Sequence, residues 1–174
     1  MKFFWKDCKF LVIMMLMTLT LVACNSTNKI PDSGEDLFKF KNTLIGSNSA
    51  VGQIVHQLPA NDKLNKMMLE TDQEPYGLSL NYKNVNNSLS LDDLEHTIVY
   101  NASFIFALIP NVDRITFTVE EKTYVIHREF LQEWYDGHVL EEFESTDDLK
   151  EFIGKYISNK QKMDQLFKVV ANRQ

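Results

Sequence analysis

The sequence predicts an α+β fold, an antiparallel sheet built from two hairpins with helices packed on one side, in the order α-β-β-α-β-β-α-α. Three observations carry this expectation. Two segments, "KMMLETDQEPYGLSLNYK" and "VDRITFTVEEKTYVIHR", each hold two short apolar runs around a turn. A long helical period with its own cap separates them, and further helical periods lie on either side. Hairpins between helices, in place of single strands alternating with helices, favour an antiparallel sheet over a parallel doubly wound one.

The elements follow in order. In "GSNSAVGQIVHQLP", Ser47 or Asn48 caps a short helix with Val51, Ile54, Val55 and Leu58 on one face, and Pro59 stops it. In the first hairpin, Leu78, Leu80 and Tyr82 alternate with polar residues beyond the turn "TDQEPYG". Ser90 and Asp93 have capping-box spacing ahead of Leu94, Ile98, Ala102, Ile105, Phe106 and Ile109, with Pro110 and Asn111 at the end. This helix turns apolar all round at "FIFALI" and so belongs at the centre of the core. Ile115, Phe117 and Val119 alternate with Thr116, Thr118 and Glu120, then a turn near Glu121-Lys122 leads to Tyr124 and Ile126. "EFLQEWYDG" reads as a short helix ending at Gly137. Ser145 caps the last one, with Leu149, Phe152, Ile153, Tyr156 and Ile157 on one face and a continuation through Met163, Leu166, Phe167 and Val170.

The N-terminus has another character. Lys2, Lys6 and Lys9 precede "FLVIMMLMTLTLVA", Phe10 to Ala23, an uncharged run of about 14 residues where a membrane-spanning helix needs roughly 20. It reads as an export signal. Its end, Leu21-Val22-Ala23-Cys24, resembles the bacterial lipobox, in which the cysteine thiol takes a diacylglycerol group before the signal is cleaved in front of it. The expected organisation is a lipoprotein signal peptide over 1–23, a lipid-anchored flexible tether over 24–36 and one globular domain over 37–174. Cys8 falls in the leader, so Cys24 would be the single cysteine of the mature chain and no disulfide could form. The alternative, a structural cysteine beside an ordinary cleavage site, leaves the agreement of position, apolar run and small residues unexplained. Two or three acyl chains hold a protein to a membrane durably where one does not. The expected location is therefore the extracytoplasmic face of a Gram-positive-type cell membrane. A tether of about 12 residues reaches roughly 40 Å.

Charge narrows the partners. The whole chain has 18 Lys and Arg against 24 Asp and Glu, and the leader holds three Lys and one Asp, which leaves 15 against 23, or −8, for the rest. Nucleic acid and anionic wall polymers are poor partners for such a domain. The expected ones are the membrane, through the lipid on Cys24, and a cell-envelope protein or small ligand.

Catalytic patterns are weak. "STNK", Ser26 to Lys29, matches the S-x-x-K of penicillin-recognising enzymes but sits in the tether, where no rigid oxyanion hole can form. His56, His96, His127 and His138 lack ligand spacing, and His127, Glu133 and His138 would have to converge in space to hold zinc. Glu120 with Glu121, and Glu141 with Glu142, are adjacent pairs that point apart on a strand or helix. "GSNSAVG" lacks the lysine of a phosphate loop. No catalytic residue, metal ligand or cofactor is expected. Tyr76, Tyr82, Trp134 and Tyr135, beside glycines and acids, are the candidate ligand-binding residues, with packing as the competing role.

"LFKFKNTLIGSNSAVGQIVHQLP", "EPYGLSLNY" and "NASFIFALIPNVDRITF" resemble three signature blocks of a domain of unknown function. That domain occurs in Gram-positive lipoproteins and is also appended to membrane metallopeptidases of the β-lactam-sensor type. The resemblance implies an extracytoplasmic domain that senses or binds, and it brings no catalytic residues. The peptidase activity does not carry over, because the chain lacks the H-E-x-x-H zinc motif. The leading expectation is a membrane-anchored, non-enzymatic binding or sensing domain. The alternative is a cell-envelope hydrolase, metal-assisted through His127 and His138.

Overall fold

The computed structural model describes residues 36–85 and 88–171. The expected leader, Cys24, the Ser26 to Lys29 tetrad and the expected tether up to residue 35 lie outside the described residues. Asp36, where the expected tether ends, is bound to the domain: its carboxylate accepts from the Phe38 amide at 2.9 Å and from Thr146 Oγ1 at 2.8 Å.

Period-two alternation builds one four-stranded sheet with one dry face. Its strands are β1 (Leu64–Glu70), β2 (Gly77–Tyr82), β3 (Arg114–Val119) and β4 (Lys122–His127), in the spatial order β1-β2-β3-β4. Leu78, Leu80 and Tyr82 of β2, Ile115, Phe117 and Val119 of β3, and Tyr124 and Ile126 of β4 are buried on the same face. Ser79, Asn81, Thr116, Thr118, Thr123 and Val125 stand on the other, partly exposed.

The α+β class and the two antiparallel hairpins, β1–β2 and β3–β4, are as expected. The sheet as a whole is mixed, because β2 and β3 pair in parallel. The cause is the helix between them, α2 (Leu91–Leu108), whose 18 residues return the chain along the sheet by about 27 Å. Strand β3 therefore starts beside the start of β2, Arg114 against Gly77.

Helix α1 (Asn48–His56) buries Val51, Ile54 and Val55 and lies against β1 at Met67. Helix α2 is capped as its spacing predicts, the Asp93 amide donating to Ser90 Oγ at 3.1 Å. From Ile98 to Leu108 every residue of α2 is buried, so it forms the centre of the core. Three α-helices follow β4, one more than expected: α3 (Arg128–Trp134), α4 (Thr146–Ile157) and α5 (Lys160–Val170). Asn159 makes the difference. Its side chain accepts from the Lys162 amide at 3.1 Å and opens α5 as a helix distinct from α4.

Two clusters lock the helices together. Arg128, 8% exposed, donates to the carbonyls of Phe106 (3.0 Å), Ile109 (2.7 Å) and Val112 (2.8 Å), satisfying acceptors at the end of α2, and pairs with Glu141. Trp134, Tyr135, Phe152 and Tyr156 pack tilted or edge-to-face with ring centroids 4.8 to 5.6 Å apart, welding α3 to α4. Among the described residues no helix is long and apolar enough to cross a membrane.

Candidate functional site

The tight turn at Glu120-Glu121 joins β3 to β4, and Glu120 takes the left-handed conformation (φ 55°) that such a turn demands. In this position the Glu120 carboxylate accepts from the Val85 amide at 3.1 Å, and the Val85 carbonyl accepts from the amides of Ser88 (2.9 Å) and Leu89 (3.1 Å). The segment entering α2 is thereby held off the end of the sheet. A partly open groove of about 520 Å³ lies between them.

Its lining divides by chemistry. Val85, Leu89, Leu94 and Val119 give an aliphatic floor, Tyr124 adds one ring, and Leu91 stands at 56% exposure. Glu120, Glu121, Lys122 and Ser90 supply the polar groups. Tyr124 is fixed edge-on against Phe167 of α5, with ring centroids 5.7 Å apart. Just beyond the lining, the Glu95 carboxyl is held above the usual carboxylate range, chiefly by burial and then by the charges of Asp92 and Asp164, against the opposing effect of Lys160 and Lys122. The Tyr124 hydroxyl is pushed up by burial and by Glu95.

Of the aromatic candidates only Trp134 and Tyr135 meet, with ring centroids 4.8 Å apart. Tyr76 is half-buried at the entry to β2, where its carbonyl accepts from the amides of Asp113 and Arg114. Tyr82 is 4% exposed, stacked on Phe117, and burial pushes its hydroxyl up to about 12. Tyr135 is fully buried with its hydroxyl 2.7 Å from Ser103 Oγ, and Trp134 donates from Nε1 to the Lys162 carbonyl at 3.0 Å. Tyr82 lies in the sheet against Phe117, and Trp134 and Tyr135 lie in the α3–α4 aromatic cluster. The groove draws on none of the four.

Nor do the candidate zinc ligands converge. Among the described residues no three His, Cys, Asp or Glu side chains are placed to hold a metal ion, His127, Glu133 and His138 included. A serine does meet a carboxylate on the open face of the sheet, where Ser79 donates to Glu70. Glu70 also accepts from Arg114, and the Ser79 hydrogen bond and then Arg114 hold its carboxyl below the usual range. A carboxylate so stabilised is a poor general base.

Sequence patterns could not show the groove, because its walls come from Val85, from 89–94 and from 119–124, stretches brought together by the parallel β2–β3 pair. One local signal was present: Leu91 is a large apolar residue directly after a helix cap, on the first turn where acids predominate.

No curated protein and no solved structure matches the chain. The family model described as Domain of unknown function (DUF4825) matches residues 37–129, more than half of the chain, and includes every residue lining the groove. The chain belongs to the DUF4825 family.

Proposed function

We propose that this chain is a lipoprotein, held on the extracytoplasmic face of a cell membrane by lipid on Cys24, whose DUF4825 domain binds a ligand without transforming it. The observation that carries the reading is the groove at the start of α2, which offers an aliphatic floor and flanking charges. Glu120 is engaged by the Val85 amide, and the lining serine, Ser90, is taken up by its helix cap, accepting from the Asp93 amide and donating to the Asp93 carboxylate. A receptor needs such a surface, and a hydrolase needs a nucleophile or activated water that this lining does not supply. The likeness to domains appended to membrane metallopeptidases of the β-lactam-sensor type agrees with a sensing role, in which the domain reports occupancy to a partner.

The test uses the full chain in nanodiscs of zwitterionic lipid and three short leucine-containing peptides, one with serine, one with lysine and one with glutamate. Binding in the groove slows amide exchange over 88–94 and 119–124 with at least one peptide, and Leu91→Asp abolishes the effect without lowering the melting temperature. Absence of protection with all three, or protection indifferent to Leu91→Asp, overturns the reading.

A further inference from the structure

Five acids surround the groove: Glu120 and Glu121 in the turn, Asp92 and Asp93 on the first turn of α2, and Glu95 one turn further. Lys122 and Lys160 oppose them. Three of the acids are already engaged, Asp93 with Ser90, Asp92 with Lys160 at 3.5 Å and Glu120 with the Val85 amide. Glu121 is exposed and makes no ion pair among the described residues. Beside it, Leu91 offers apolar surface to solvent. A single ion would leave the floor wet. A neutral apolar ligand would desolvate Glu121 without compensation, and an anion would meet repulsion. The volume suits a few side chains and is far too small for a folded domain.

We infer that the groove takes a cationic amphipathic peptide segment, an aliphatic side chain entering against Leu94, Val119 and Leu91 while a neighbouring lysine or arginine pairs with Glu121. This rests on the binding function proposed above. An amphipathic segment meets both demands at once, because adjacent residues can present an apolar and a charged group to separate patches. The net charge of −8 beyond the leader favours the encounter.

The same three peptides decide the matter by affinity, read from the exchange of 88–94 and 119–124 as peptide is added. The lysine peptide binds about tenfold or more tightly than the serine peptide, and the glutamate peptide least. Glu121→Lys weakens the lysine peptide about tenfold. Asp72→Lys, the same charge change in the turn at the far end of the sheet, alters it by less than about twofold. If the serine or glutamate peptide binds as well as the lysine peptide, the ligand class falls and the groove survives as a binding site. If Asp72→Lys weakens binding as much as Glu121→Lys, the attraction is diffuse and the inference is wrong. If no peptide protects the groove, the binding function falls with it.

Discussion

Glu70 and Arg114 stand on β1 and β3, with β2 between them, yet their side chains form an ion pair across the open face of the sheet. Gly77 makes this contact feasible. It pairs with Glu70 on one side and Arg114 on the other, and a Cβ there would come within 2.8 Å of Glu70 Oε2 and 3.2 Å of Arg114 Nη2.

Gly77→Ala should therefore displace the pair and change stability little. The groups that must move are flexible side-chain ends, the pair is partly exposed and worth about 0 to 1 kcal/mol, and alanine recovers about 0.5 to 1 kcal/mol of strand entropy. The pH profile is the sharper readout. The Ser79 hydrogen bond first and then Arg114 lower the Glu70 carboxyl pKa, so its contribution is present above the unfolded pKa and lost as pH falls through the folded one, and the part owed to Arg114 goes with the pair. The alanine variant should lose less stability on acidification than the native chain. A loss above about 3 kcal/mol at neutral pH would mean that the backbone, and not the pair, occupies the space.

Arg128 is the opposite case, a charge whose fork is filled by three carbonyls and Glu141. Arg128→Met strands those acceptors beside the Phe106 ring, over which the guanidinium sits at 4.7 Å, and should cost about 3 to 5 kcal/mol in a denaturant titration. Arg128→Lys should recover less than half of that, because an ammonium cannot span carbonyls arranged for a planar fork. Full recovery by lysine would show that charge alone matters here.

The hairpins, the caps of Ser90 and Ser145 and the apolar helix around Phe106 were legible because each is written in neighbouring residues. Ser145 Oγ accepts from the Asp148 amide at 3.1 Å, as the S-x-x-D spacing suggests. The β2–β3 pairing was not legible, since a parallel partner lies a whole helix away and leaves no local mark. Asn159 escaped notice because the apolar period of α4 runs into that of α5 with little change of phase. The aromatic candidates show a different limit: Tyr135 and Tyr82 have the composition of a ligand cleft, and burial alone separates a packing ring from a binding one.

Phe106 and Tyr76 separate the core from the surface. Phe106 is fully buried and its truncation to alanine should cost about 3 to 5 kcal/mol. Tyr76 is half-buried and its hydrogen-bonded group is the backbone carbonyl, which alanine keeps, so Tyr76→Ala should cost under about 1 kcal/mol. Urea titrations giving the reverse order would displace Phe106 from the centre of the core.

Glu95 gives a second pH test of opposite sign. Burial, with Asp92 and Asp164, raises its carboxyl above the unfolded value, so the folded state binds the proton more tightly, and stability is lost as pH rises through the raised pKa. Glu95→Gln keeps the neutral shape. Calorimetry should find the variant melting higher than the native chain at pH 7, with the difference gone below about pH 4, where both side chains are uncharged. A variant less stable at pH 7 would show that Lys160 and Lys122 outweigh burial.

The anchor is tested at Cys24. Only a thiol can form the thioether of a lipobox, so Cys24→Ser should leave the chain unprocessed or release it from the membrane fraction. Both outcomes are read by detergent phase partition and by the mass of the N-terminal peptide, which in the native protein should carry diacylglycerol. The folded domain should be indifferent to the change, since the first of the described residues, Asp36, is already held to it by Phe38 and Thr146. Equal thermal melting of native and serine forms, together with loss of detergent partition, is the expected pair of results. A serine variant that is cleaved normally and still partitions into detergent would remove the lipid from Cys24, and with it the placement of the groove beside a membrane.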